Sequence, residues 1–223
     1  GNYSSRVFDA GRNSTWQNVT WDENVPYGEE LPSNLGVESF KGGVNMTGNV
    51  LLFHFNNDSS FSENDQRNVS NSVYDFSGLG NNGSLGNVTS GTNPVWNSSG
   101  KLGGGYSFDG VDDYIDVGDS TSLQPTSMSV SAWVISGSDT ENQYETIIDR
   151  REPNSPADGW LMHTEANSGK ARVIIYGASK YALRLSQTNI RDGGWYHVVY
   201  TYNGIDGDGL HIYVNGVLDD DTL

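Results

Sequence analysis

The chain predicts an all-β protein, an antiparallel jelly-roll β-sandwich, and three observations carry that expectation. From residue 128 onward, short stretches rich in Val, Ile, Tyr and Trp follow one another at the spacing of an all-β domain: MSVSAWVIS, ETIIDRRE, GWLMHTEA, KARVIIYG, YALRLSQT, WYHVVYTYNG and GLHIYV. Glycine, proline and Asn/Asp clusters separate most of them, and no stretch keeps a helical period. The length, 223 residues, suffices for one large sandwich around one core.

Taken in order, residues 1–45 read as a short β-rich segment and connector. SRVFDA and WQNVTWDENV alternate well enough for strands, and YGEELPSNLGVESFKGG has the glycines, proline and glutamates of a link. The sandwich is expected over residues 46–223, beginning with NVLLFHF as a buried strand and then a hydrophilic surface loop from residue 56 to 71. In MSVSAWVI, Met128, Val130, Ala132 and Val134 share one face, and Ser129, Ser131, Trp133 and Ile135 share the other. Near the end Leu210, Ile212 and Val214 alternate inward. Asn215-Gly216 then supplies a two-residue hairpin turn, because both its central positions need positive φ. The returning strand has barely begun at Leu223, and a cut hairpin leaves an edge, so further C-terminal strands are expected.

Charge narrows the function classes. The formal net charge is -16, from 28 acidic against 12 basic side chains, and lysine occurs only at Lys41, Lys101, Lys170 and Lys180. Such a surface repels nucleic-acid phosphates and anionic lipid, and it fits either a secreted acidic domain or a protein made for high salt. No apolar run is long enough to insert in a membrane, and no cysteine is present, so no disulfide staples the fold. A bound metal could take that role.

Nine Asn-x-Ser/Thr acceptors occur, at Asn2, Asn13, Asn18, Asn45, Asn57, Asn68, Asn82, Asn87 and Asn97. The composition of the first hundred residues would give about three by chance, so the excess favours a glycosylated surface protein. Turn-forming Asn and Ser give a competing explanation, and Asn82 has its own reason for an amide, since it lies in an acidic loop.

Two segments carry the most specific chemistry: VYDFSGLGNNGSL, residues 73–85, and YSFDGVDDYIDVG, residues 106–118. Each packs carboxylates, amides and glycines into a tight loop beside an apolar stretch, which is what a hard cation held by oxygen ligands requires. Two acidic turns without an ion have the same composition.

Four elements in sequence, DFSGLGNNGSL, GGGYSFDGVDDYIDVG, MSVSAWV, and GGWYHVVYTYNG followed by LHIYVNGV, resemble the laminin-G-like domains of the concanavalin A-like lectin/glucanase superfamily, in the version common on prokaryotic surface proteins. The match covers roughly residues 49 to 223. It implies a structural calcium ion (Ca2+), with a carboxylate from Asp75, backbone carbonyls from Gly80 and Asn82, and Asp113 with Asp112 closing the shell. The reading adopted with it is a non-catalytic recognition or adhesion module of an extracellular or cell-surface protein, with a glycan as the expected ligand, a cell-surface protein as the alternative, and a glycoside hydrolase as the third. Because this scaffold hosts sugar binding, peptide binding and catalysis alike, the ligand must be argued from the site.

The same superfamily includes laminarinase-like glucanases, whose carboxylates lie two positions apart on one strand face. ETIIDRRE is the nearest candidate here, with Glu145 and Asp149 four apart and expected on a common face; the spacing does not match, and salt bridges from Arg150 and Arg151 explain the charges. His54, His163, His197 and His211 are too scattered for a zinc pattern. For sugar stacking the candidates are Trp133, Tyr144, Trp160, Tyr176 and Tyr181, with Trp96 beside them, though most aromatics of a sandwich belong to its core.

Overall fold

The computed structural model describes residues 46–65, 72–86, 91–137, 143–152, 155–177, 181–205 and 207–221. The expected N-terminal segment 1–45, with Asn2, Asn13, Asn18 and Asn45, lies outside the described residues, as do Asn68 and Asn87. The described strands are β1 (Ser84–Leu85), β2 (Val95–Asn97), β3 (Gly105–Ser107), β4 (Ile115–Asp116), β5 (Met128–Ile135), β6 (Glu145–Glu152), β7 (Ser155–Thr164), β8 (Lys170–Tyr176), β9 (Tyr181–Asn189), β10 (Trp195–Tyr202), β11 (Leu210–Val214) and β12 (Val217–Leu218). Two four-stranded antiparallel sheets, ordered β12-β11-β10-β5 and β6-β7-β8-β9, form the sandwich, and the pairs β1-β4 and β2-β3 accompany it.

The period-2 pattern explains the packing. From β5, Met128, Val130, Ala132 and Val134 pack on a core built of Val198 and Tyr200 of β10, Leu210, Ile212 and Val214 of β11, Met162 of β7, and Ala171, Val173 and Ile175 of β8. The core thus lies between the two sheets, and burying its aliphatic side chains contributes roughly 1.5–3 kcal/mol apiece. Asn215 (φ 50°) and Gly216 (φ 79°) make the expected hairpin turn between β11 and β12.

Three features depart from the expected outline. NVLLFHF forms no ladder with a neighbouring strand among the described residues. Leu52 and His54 are buried, and the segment is tied by a bond from Phe76 N to Leu52 O, but Phe55 (φ 59°) and Asn57 (φ 54°) turn the backbone out of an extended course. In β6 the register shifts between Thr146 and Ile148. One extra residue in an alternating strand reverses the facing of everything after it. Glu145 pairs with Thr164 and Asp149 with Leu161, and Thr164 and Leu161 are an odd number of residues apart in β7, so Glu145 and Asp149 point to opposite faces rather than sharing one.

Finally, the chain beyond β12 crosses to the other sheet. Gln187 N donates to Asp219 O and Asp221 N to Leu185 O, with a bridge between Ser186 and Asp220. The side chains of this triple-aspartate run each find a partner: Asp219 accepts from Thr188 N, Asp220 takes His211 Nδ1 and Ile212 N at 2.7 Å each, and Asp221 meets Lys170 Nζ at 2.7 Å.

Candidate functional site

The first acidic loop is organised around Asp75, which is 1 % exposed. Its Oδ1 accepts from Leu52 N (3.0 Å) and Ser77 N (2.9 Å), and its Oδ2 from Ser77 Oγ (2.7 Å) and Asn81 N (2.9 Å). A carboxylate has about four lone-pair sites, and four donors occupy them. The Asn82 side chain is engaged in the same loop, its Oδ1 accepting from Asp75 N at 2.8 Å, while Gly80 is exposed at φ 75°, a left-handed turn position. These residues therefore build the loop.

In the second loop, Asp109, Asp112 and Asp113 bring carboxylate oxygens within 4.8 Å of one another. Backbone N–H groups hold the cluster in shape: Asp109 N donates to Asp113 Oδ2, and Val111 N and Asp112 N donate to Asp109 Oδ1, which lowers the Asp109 carboxyl below its ordinary range. The loop lies apart from Asp75. With Leu85 opposite Ile115 and Ser84 opposite Asp116, Asp113 falls at one end of the β1-β4 ladder and Asn82 at the other, about 16 Å apart along the strands. The structure thus groups Asp112 and Asp113 with Asp109, and does not bring Asp75, Gly80 or Asn82 to them. Asp109 was legible in FDGVDDY as a third carboxylate three and four residues before the pair.

The five candidate aromatics divide among three surfaces. Trp133 stands on the outer face of β5, 5.0 Å from the His197 ring and under Lys101 Nζ at 5.0 Å. Trp160 faces the core, its ring 5.8 Å from that of Tyr200. Tyr144, Tyr176 and Tyr181 remain, and they share the outer face of the β6–β9 sheet. Since Ala171, Val173 and Ile175 point to the core, Arg172, Ile174 and Tyr176 point away from it, and the register sets Leu161 and Leu183 beside Ile174, Tyr181 beside Tyr176, and His163 and Leu185 beside Arg172.

This outer face has an unusual composition. Leu161, Ile174 and His163 are buried although they belong to no part of the core between the sheets. Tyr144 is 55 % exposed and Tyr181 69 % exposed. The Tyr144 ring lies 5.0 Å from the His163 ring and 5.9 Å from Arg172 Cζ. Burial, with the positive charges of Arg172 and Arg151, pushes the His163 imidazole down to about 4, so it is neutral at neutral pH. Asp149 on the same face is engaged by Arg151 Nε at 2.9 and 3.0 Å. The signal for Arg172 was present in KARVIIY as a cation within an apolar alternation, and the signal for His163 as a polar residue inside GWLMHTEA.

No carboxylate pair of the glucanase kind forms from the nominated residues. Glu145 accepts from Ser136 Oγ and Thr164 Oγ1 and pairs with Arg191, while Arg150 binds Asp119 at 2.9 Å. Among the described glycosylation candidates, Asn97 is exposed in β2 with its Oδ1 accepting from Ser99 N, and Asn57 Oδ1 accepts from Asp65 N.

No helix among the described residues is long and apolar enough to cross a membrane. No curated protein and no solved structure matches the chain. The laminin G family model described as the concanavalin A-like lectin/glucanases superfamily matches residues 109–222, from the Asp109 loop through both sheets to the aspartate run. With half the chain matched and two antiparallel sheets packed on one core, the chain belongs to the concanavalin A-like lectin/glucanase superfamily.

Proposed function

We propose that the chain is a non-catalytic carbohydrate-recognition module of a secreted or cell-surface protein, and that it binds sugar on the outer face of the β6–β9 sheet. The observation that carries this is the placement of Tyr144, Tyr176 and Tyr181 around an apolar floor of Leu161 and Ile174. Sugar rings stack their C–H faces on exposed aromatics, and a tyrosine adds a hydroxyl for orientation. Along β8, Arg172 and Tyr176 are four residues apart, about 13 Å, so the two ends of this surface span two or three sugar units. A glycan array followed by calorimetry on the leading oligosaccharide tests the assignment. Tyr144→Ala and Tyr181→Ala should each weaken binding about tenfold; unchanged affinity in both variants would rule this face out.

A protein-binding adhesion module is the second reading. Phe108 (53 % exposed) and Val111 (83 % exposed) flank the Asp109 loop, an apolar tip suited to a protein partner. Binding to a protein but to no glycan would favour it.

Calcium, which the family implies, fits the second acidic loop by its donor chemistry. Asp109, Asp112 and Asp113 offer three hard carboxylate oxygens near solvent, whereas the saturated Asp75 carboxylate does not fit as a ligand. A calcium ion there would neutralise the mutual repulsion of three like charges and tie the loop to the fold, a structural role. Unfolding with calcium and with a chelator tests this: equal midpoints would exclude a stabilising ion.

A further inference from the structure

Arg172 is the exception among the described arginines. Arg150 meets Asp119, Arg151 meets Asp149, Arg184 stands 4.0 Å from Asp220, and Arg191 meets Glu145. Among the described residues the Arg172 side chain makes neither a hydrogen bond nor an ion pair; it lies against the face of Tyr144, and the Glu165 carboxylate feels its charge only through space. Its Nε is shut off from solvent and lacks an acceptor. Directly across the ladder stands His163, 5 % exposed, whose Nε2 is likewise buried and unpartnered. Buried donors of a charged group without acceptors are rare in folded proteins, and more so where acidic side chains outnumber basic ones 28 to 12. A guanidinium nitrogen and a neutral imidazole nitrogen, both buried and unpartnered, side by side beneath an exposed tyrosine ring, describe a site prepared for an anion.

We propose that the ligand of this face is an acidic oligosaccharide, and that Arg172 receives the carboxylate of one hexuronate unit while His163 supplies a further hydrogen bond and Tyr144 covers the ring. This rests on the sugar-binding assignment above and specifies its substrate class. One guanidinium fork matches one planar carboxylate in a bidentate contact. A phosphate monoester dianion would call for a second cation, and Arg151, whose charge also reaches His163, is already engaged by Asp149 on both carboxylate oxygens. The net charge of -16 also disfavours densely charged polyanions while permitting a single carboxylate held at close range. The imidazole, uncharged at neutral pH, can donate without adding a second cation.

The test compares a trigalacturonate with its carboxyl-reduced, neutral counterpart by calorimetry on the full chain at low salt. The acidic sugar should bind about tenfold to hundredfold more tightly, the worth of a charge-assisted contact. Arg172→Gln should abolish that preference and leave the weaker affinity for the neutral sugar, and Lys101→Gln, in the turn between β2 and β3 over Trp133, should leave the preference intact. Bound uronate should also raise the titration midpoint of the His163 ring protons in NMR, a readout of the unmodified protein that does not depend on the variant folding. Equal affinity of the wild-type protein for the two sugars overturns the uronate assignment while the sugar site stands. Binding of neither sugar, with no hit on a glycan array, removes both. Acetate that matches the acidic sugar in affinity reduces the site to a carboxylate pocket and overturns the saccharide assignment.

Discussion

Substituting Asp75 separates the two roles that an acidic residue in this loop can have. In the structure, its carboxylate is the shared acceptor of three backbone N–H groups, from Leu52, Ser77 and Asn81, and of the Ser77 hydroxyl, at 2.7 to 3.0 Å, with 1 % of the residue exposed. Asp75→Ala leaves those donors where water has little access. Each buried unsatisfied donor costs about 1–3 kcal/mol, and partial relaxation of the loop makes the sum less than additive, so a loss of about 3–5 kcal/mol is expected. That is a large part of the roughly 5–15 kcal/mol available to a domain. Asp75→Asn keeps one acceptor oxygen and turns an amide toward the remaining donors, so it should lose about 1–3 kcal/mol. The assay is urea unfolding followed by tryptophan fluorescence, performed with added calcium and again with a chelator. As a loop organiser, Asp75 should show the same loss in both conditions, whereas Asp109→Asn should lose only the calcium-dependent increment. A loss for Asp75→Ala under about 1 kcal/mol, or one that disappears in chelator, would refute the reasoning and return Asp75 to the role of metal ligand.

Further consequences follow from single sites. His163 is held near 4 in the folded protein against an ordinary 6.5, by burial and by Arg172 and Arg151, with Glu165 and Asp149 acting in the opposite sense. Because the folded state disfavours the protonated ring, its contribution is complete above pH 6.5 and is lost as the pH falls toward 4, by up to about 3 kcal/mol. In urea melts across that window His163→Gln should therefore lose less stability than the wild type, and parallel curves would exclude the assignment. Asp220→Ala should cost about 2–3 kcal/mol, because it strips acceptors from His211 Nδ1 and Ile212 N, and a thermal melt with an unchanged midpoint would contradict this. Gly83→Ala would set a Cβ 2.7 Å from Ile115 Cγ2 and 3.2 Å from Val73 Cβ, so overpacking of about 1–3 kcal/mol is expected where β1 joins β4; a neutral result in the same melt would show that Ile115 can move aside.

Much of the fold was legible because it is written in local patterns. The seven late strands were delimited by their alternation and by the glycine and Asn/Asp clusters between them, and the Asn215-Gly216 hairpin by the φ values that its residues tolerate. NVLLFHF shows the limit of that approach. An apolar run reports burial, and Leu52 and His54 are buried, but whether a neighbour offers it a ladder is decided elsewhere in the chain. Of the candidate site, the aromatics on YALRLSQT and KARVIIYG were legible as strand residues, yet their surface was not, because which face of a sheet meets the partner sheet depends on packing.

The sequence by itself determined an all-β sandwich, an acidic surface without disulfides, two acidic loops, and the alternating residues of both sheets. Only the tertiary structure decided what those residues do. A single inserted residue in β6 parts Glu145 from Asp149, the β1-β4 register carries Asp113 away from Asp75, and the cross-strand pairing of β7 with β8 leaves the buried Arg172 Nε beside His163 with no hydrogen-bond acceptor. Strand alternation and turn conformation are set by residues adjacent in the chain. Register and charge pairing join residues that are distant in it, so they are settled only when the sheets close on one core.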